Sequence, residues 1–109
     1  MISPKSKIRG MFLGVAVGDA LGAPIEGRTF PEIYALYNRV TKYVKRNKLP
    51  KGYTTDDTQL SLAVAEALIK SKRFDMASIA KYHQKAFKKE TLGWGTGTRR
   101  AVEKLIEGS

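Results

Sequence analysis

The chain has no cysteine and a single histidine, His83. The first absence excludes a disulfide framework, an iron–sulfur cluster and a thiolate zinc site. The second excludes a histidine-rich metal centre. Acidic residues are sparse, 10 against 20 basic ones, for a net charge of +10. No stretch reads as a strand, an internal repeat or a low-complexity tract. Any metal site in this chain has to rely chiefly on oxygen ligands.

What is present fits an ordinary globular composition, 42% hydrophobic and 28% charged over 109 residues. That length supplies one modest core and not two. The basic excess concentrates in Lys42 to Lys51, Lys70 to Arg73 and Lys85 to Lys89. These read as solvated helix ends and a loop, although a basic chain also attracts polyanions such as nucleic acid. Near the start, Lys5, Lys7 and Arg9 precede the apolar run Met11–Val17, and Ala20-Leu21-Gly22-Ala23 resembles a signal cleavage site. Asp19 and the interrupting glycines argue against a signal. The run itself falls short of the about 20 residues that span a bilayer. The expectation is a cytoplasmic protein with a buried first helix and no membrane contact.

Periodicity predicts helices almost throughout. Ser3 and Pro4 make a helix start, with proline in the first turn, and Ile8, Met11, Phe12 and Val15 form its apolar face. Gly10, Gly14 and Gly18 recur every four residues, each costing about 1 kcal/mol against alanine, which suggests close approach by another helix. Gly22 to Arg28 ends this helix, with Glu26 alone among small and apolar neighbours. An exposed loop glutamate and a carboxylate held near a site are both open readings for it. A second helix should start near Pro31, with Ile33, Leu36, Tyr37 and Val40 as its stripe and Val44 as a candidate extension. Lys45 to Tyr53 reads as a polar loop broken by Pro50 and Gly52.

The most informative stretch is Tyr53-Thr54-Thr55-Asp56-Asp57-Thr58-Gln59. It precedes an apolar helical run with Leu60, Ala63, Val64, Ala67 and Leu68 on one face, continuing to about Ser71. Thr54 or Thr55 is the natural N-cap, and Asp56 and Asp57 fall in the first turn. Acidic residues there can simply complement the helix dipole. With Thr55 and Thr58 they also form a compact group of hard oxygen donors, suited to Mg²⁺, Mn²⁺ or Ca²⁺. Asp75 is a plausible cap for a fourth helix, whose Ile79, Tyr82, His83, Ala86 and Phe87 share one side as core. Then Gly93-Trp94-Gly95-Thr96-Gly97-Thr98 leads into a last helix, with Thr98 as its expected cap and Val102, Leu105 and Ile106 apolar. A glycine-rich loop feeding a helix N-terminus is an anion site in principle. It matches neither a Walker loop nor a Rossmann fingerprint.

Three segments in order, GMFLGVAVGDALGAPIEG (Gly10 to Gly27), YTTDDTQLSLAVAEAL (Tyr53 to Leu68) and GWGTGTRRAVEKL (Gly93 to Leu105), resemble the N-terminal part of the ADP-ribosylglycohydrolase family, which includes the dinitrogenase reductase–activating glycohydrolases. The third match is looser, because many relatives carry asparagine where Thr96 stands. The resemblance implies an all-α fold, of which about five helices are present here. It implies two divalent ions, usually Mg²⁺ or Mn²⁺, and hydrolysis of the glycosidic bond joining ADP-ribose to a protein side chain or small acceptor. By the same resemblance Thr55, Asp56 and Asp57 are metal ligands, with Asp56 and Asp57 also catalytic. Glu26 is a catalytic acidic residue over the ribose, and Gly93, Trp94, Gly95, Thr96, Gly97 and Thr98 bind substrate near the diphosphate. Asp19 is expected to hold its helix end. ADP-ribose or an ADP-ribosylated protein is the implied partner.

One departure shapes the expectation. Family members are roughly two to three times this long, and their remaining metal ligands come from a C-terminal Asp-Thr-Asp-Thr-like segment. After Asp57 the only aspartate here is Asp75. Residues 1–109 are therefore expected to be the N-terminal portion of one domain, lacking the C-terminal ligand half. Such a chain would be a fragment, a truncated product, or half of a site completed by a complementary chain or by self-association. Two other readings compete: a non-catalytic relic that binds ADP-ribose or a partner chain, and a small basic helical nucleic-acid binder.

Overall fold

A computed structural model describes residues 2–45 and 48–108. The expected basic loop from Lys45 to Tyr53 therefore lies partly outside the described residues. Among those described, the order is α1 (Pro4–Gly22), a 3-10 turn (Ala23–Ile25), α2 (Phe30–Tyr37), α3 (Asp56–Ser71), α4 (Met76–Lys89) and α5 (Thr96–Glu107). The all-helical expectation holds, with five α-helices and no strand element among the described residues. The chain divides into two compact units, Met1–Thr54 and Thr55–Ser109.

In the first unit, Ser3 caps α1 by accepting from the Ser6 N–H at 3.2 Å, and Pro4 occupies the first turn. The helix runs to Gly22 and packs on the 3-10 turn that follows, where Ala20 and Pro24 are buried. Two expectations for α1 are corrected. It is not a buried helix: of its side chains only Ala20 is buried, and Ile8, Met11, Leu13, Val15 and Val17 are exposed. Nor is there a close neighbour at its glycines: a Cβ added at Gly10, Gly14 or Gly18 meets nothing within 4 Å among the described residues. The apolar run is short, but the helical stretch that carries it, Pro4–Ile25, has 22 residues and holds an 18-residue window with a mean hydropathy of 1.3, enough to cross a membrane by length and composition. Core helices and signal sequences share those properties, so one such helix is weak ground for a membrane assignment.

The second helix begins near Pro31 as expected, at Phe30, with Thr29 as its N-cap. The Thr29 hydroxyl accepts from the Glu32 N–H at 3.4 Å, and Thr29-x-x-Glu32 has the spacing of a capping box. The helix stops at Tyr37, where Asn38 leaves the helical region with φ of 59° and ψ of −70°. The expected stripe is therefore cut short: Val40 and Val44 both lie beyond the helix.

The second unit is built on α3 and α4, which pack against each other, and on α5, which packs on α4. The α3 contribution is small: Ala63 and Ala67 are buried, letting the neighbouring backbone approach closely. On α4 the expected side holds, with Ile79, Tyr82, His83, Ala86 and Phe87 all half-buried. The His83 ring sits by its own helix, Nδ1 lying 2.7 Å from the Ile79 carbonyl. Val102 is the buried anchor of α5, whereas Leu105 and Ile106 are partly exposed. Trp94, in the connection before α5, completes this core edge-on to Phe87, with ring centroids 5.9 Å apart.

Candidate functional site

Thr55 is the N-cap of α3. Its backbone is extended, its carbonyl accepts the first helical bond from Gln59, and its hydroxyl accepts from the Asp57 N–H at 3.3 Å. This resolves the choice between Thr54 and Thr55. Capping satisfies one of the orphan donors at a helix start, and here it also buries the cap, together with Thr58. Asp56 and Asp57 follow in the first turn, as spacing predicted. Asp56 is half-buried and Asp57 exposed. Both carboxylates lie where the free N–H groups of the helix favour negative charge.

The second element of the site is the turn before α5. Trp94 N–H donates to the Thr91 carbonyl at 3.0 Å, and Leu92 N–H donates to Glu90 Oε1 at 3.0 Å. Gly93 has φ of +86°, a backbone state that side chains with a Cβ adopt only at a cost. Here the cap expectation is corrected. The N-cap is Gly95, and Thr96, Gly97 and Thr98 already belong to the first turn of α5. The backbone at Gly95 passes beside the Asp56 carboxylate. A Cβ there would sit 3.8 Å from Asp56 Oδ2.

These two elements meet. Gly95 N–H donates to Asp56 Oδ2 at 3.4 Å. One carboxylate therefore faces the N-termini of both α3 and α5, two partial positive ends converging on a single anion. The acid pair and the glycine loop, read separately from the sequence, share the second unit. Glu26 belongs to the first unit, where it follows the 3-10 turn as an exposed residue. Asp19, near the end of α1, accepts the N–H of Ala23 on its backbone carbonyl and so helps close that helix.

Sequence reasoning missed Arg99. Its Nε donates to the Trp94 carbonyl at 3.2 Å and its Nη2 to the Thr91 carbonyl at 2.7 Å. No motif flags it; the only signal was an arginine one turn into a helix that follows a glycine-rich loop.

The donors tested against a divalent cation fit in chemistry. Thr55, Asp56 and Asp57 offer hard oxygens on consecutive residues at one helix start. They do not close a site by themselves: among the described residues no cluster of three or more His, Cys, Asp or Glu could hold a metal.

An all-helical protein with an acid pair opening one helix beside a glycine loop that opens another defines the class. The ADP-ribosylglycohydrolase family model matches residues 1–109, and the chain belongs to that family. It is 36% identical over 99 residues to the ADP-ribosyl-[dinitrogen reductase] glycohydrolase of Rhodospirillum rubrum, a stretch covering 89% of this chain and 34% of that protein. It is 32% identical over 107 residues to an uncharacterized protein of Archaeoglobus fulgidus, covering 95% and 35% respectively. It is 29% identical over 114 residues to the ADP-ribosylhydrolase ARH3 of Gallus gallus, covering 94% and 31%. The chain thus spans about a third of the length of these relatives.

Proposed function

We propose that this chain carries the N-terminal part of a metal-dependent site that hydrolyses the glycosidic bond between ADP-ribose and a protein side chain or small acceptor. Family membership supports the reaction class. The observation that carries the reading is the Gly95–Asp56 hydrogen bond, which joins the acid pair to the glycine loop in one unit.

In this reading Thr55, Asp56 and Asp57 hold Mg²⁺ or Mn²⁺ as part of its ligand set. When bound, such an ion supplies a polarised water and a template for the ribose hydroxyls. Three protein donors leave about half of six coordination positions to water or to groups from a longer polypeptide or a partner chain. Gly95 N–H is engaged with Asp56, so the donors assigned to the diphosphate are the first-turn N–H groups of Thr96, Gly97 and Thr98, which have no partner within an α-helix. A Cβ at Gly97 would meet nothing within 4 Å, which leaves room for an anion to approach. As the C1 bond to the departing group breaks, positive charge grows at C1, and the Asp56 and Asp57 carboxylates stabilise it. For Glu26, in the first unit, the family resemblance carries the assignment of a proton-transfer role at its carboxylate.

The test is release of free ADP-ribose from arginine-linked, serine-linked and small-molecule ADP-ribosyl substrates, with and without Mg²⁺. Metal-dependent release from any of them supports the proposal. Binding of ADP-ribose without release makes the chain a non-catalytic binder, and the absence of both binding and release in a folded chain contradicts the proposal.

A further inference from the structure

We propose that Arg99 is a positioning residue whose guanidinium fixes the peptide plane between Trp94 and Gly95, and thereby holds the Gly95 N–H on Asp56. The Trp94 carbonyl and the Gly95 N–H belong to the same peptide unit. No cis peptide occurs among the described residues, so these two groups point in opposite directions. One side of the unit is held by Arg99 Nε, 3.2 Å from the carbonyl oxygen. The other side faces Asp56 Oδ2, 3.4 Å from the amide nitrogen. A cation, a peptide dipole and a carboxylate thus stand in series, each polarising the next.

The need for such a device follows from the sequence. Gly95 lies between Gly93 and Gly97 in the chain, and glycine places little restraint on rotation of a peptide plane. A flipped 94–95 peptide would turn a carbonyl oxygen toward the Asp56 carboxylate and remove a donor from it. Arg99 opposes the flip with more than one bond. Its Nη2 reaches the Thr91 carbonyl at 2.7 Å, the same oxygen that receives Trp94 N–H at 3.0 Å. Its backbone N–H donates to the Gly95 carbonyl at 3.0 Å. The fork geometry of guanidinium satisfies two carbonyls at once, which a lysine ammonium on a flexible stem does less well. The consequence for substrate rests on the reading above, since Asp56 is there a metal ligand. The positioning itself does not.

The experiment measures hydrogen exchange of the Gly95 amide by NMR in the whole chain, for the parent and for Arg99→Met, Arg99→Lys and Arg100→Met. Arg100 is exposed and serves as a control for the loss of charge. Emission from Trp94, the one tryptophan, reports whether the adjoining core is intact. Arg99→Met should speed Gly95 exchange by about tenfold or more, the scale of a lost hydrogen bond to a charged group. Arg99→Lys should fall between, and Arg100→Met should leave the rate unchanged. Equal Gly95 rates in Arg99→Met and Arg100→Met overturn the proposal. Should Arg99→Met fail to fold, Arg99→Lys decides: faster exchange supports positioning, and an unchanged rate overturns it. Titrating ADP-ribose into the parent separates the two claims. An exchange response without ADP-ribose binding sinks the substrate reading and leaves the positioning role standing, and binding without an exchange response does the reverse.

Discussion

Asp56 and Gly95, 39 residues apart in sequence, meet through a hydrogen bond from the Gly95 N–H to Asp56 Oδ2. The contact ties the start of α3 to the start of α5, although the packing between helices runs from α3 to α4 and from α4 to α5. A carboxylate placed at two helix N-termini is electrostatically favoured there. It is also restrained by that hydrogen bond.

Thr55 links stability to the site. Its hydroxyl caps α3 through the Asp57 N–H. Thr55→Ala should destabilise the chain by about 1 kcal/mol, and Thr55→Ser by less. Urea unfolding followed by circular dichroism measures both. Equal stability in all three chains would remove the capping role.

The two loop glycines should respond differently to alanine. Gly93 has φ of +86°, so Gly93→Ala forces a left-handed backbone at a cost of about 1–2 kcal/mol. Gly95 has φ of −70°, which alanine adopts freely, and the added Cβ makes an ordinary contact at 3.8 Å. Gly95→Ala should therefore change stability by no more than about 0.5 kcal/mol. Thermal unfolding of the two variants tests the contrast, and a larger loss at Gly95 than at Gly93 would contradict it.

Phe87 and Trp94 meet edge to face, with an interplanar angle of 67°. Phe87→Leu keeps an apolar side chain and removes the ring pair, at a cost of about 1 kcal/mol. It should also admit water to Trp94 and shift its emission to the red. An unshifted spectrum would mean that Phe87 does not shield the indole.

Lys85 and Glu66 form an ion pair of 3.1 Å across α3 and α4, with side chains 67% and 43% exposed. Solvent screening at that exposure limits its worth, so Lys85→Met should alter stability by no more than about 0.5 kcal/mol. Chemical denaturation at low and moderate salt checks this, and a loss well above that value would assign the pair a structural role.

Much of the second unit was legible because its signals are local. A threonine cap at Thr54 or Thr55, the acid pair behind it and the core side of α4 all follow from helical spacing and first-turn chemistry, and the structure chooses Thr55. Other features depend on what comes near, which spacing does not report. The glycines of α1 suggested a helix neighbour, yet open space surrounds them among the described residues. Thr98 was the expected cap, whereas α5 starts at Gly95, whose N–H meets the Asp56 carboxylate from far away in sequence. Arg99 escaped notice for the same reason, since its acceptors are main-chain carbonyls that carry no sequence signature. Pairing the acid motif with the glycine loop came from family resemblance, and the hydrogen bond between them supplies its physical basis.

The central claim is that the acid pair and the glycine loop form one ADP-ribose site in this chain. Isothermal titration of ADP-ribose into the parent and into Asp56→Ala/Asp57→Ala, each with and without Mg²⁺, tests it most directly. The account predicts binding heat in the parent that requires Mg²⁺ and disappears in the double variant. Absence of heat in every condition from a folded parent chain, or equal heat in the double variant, would contradict it.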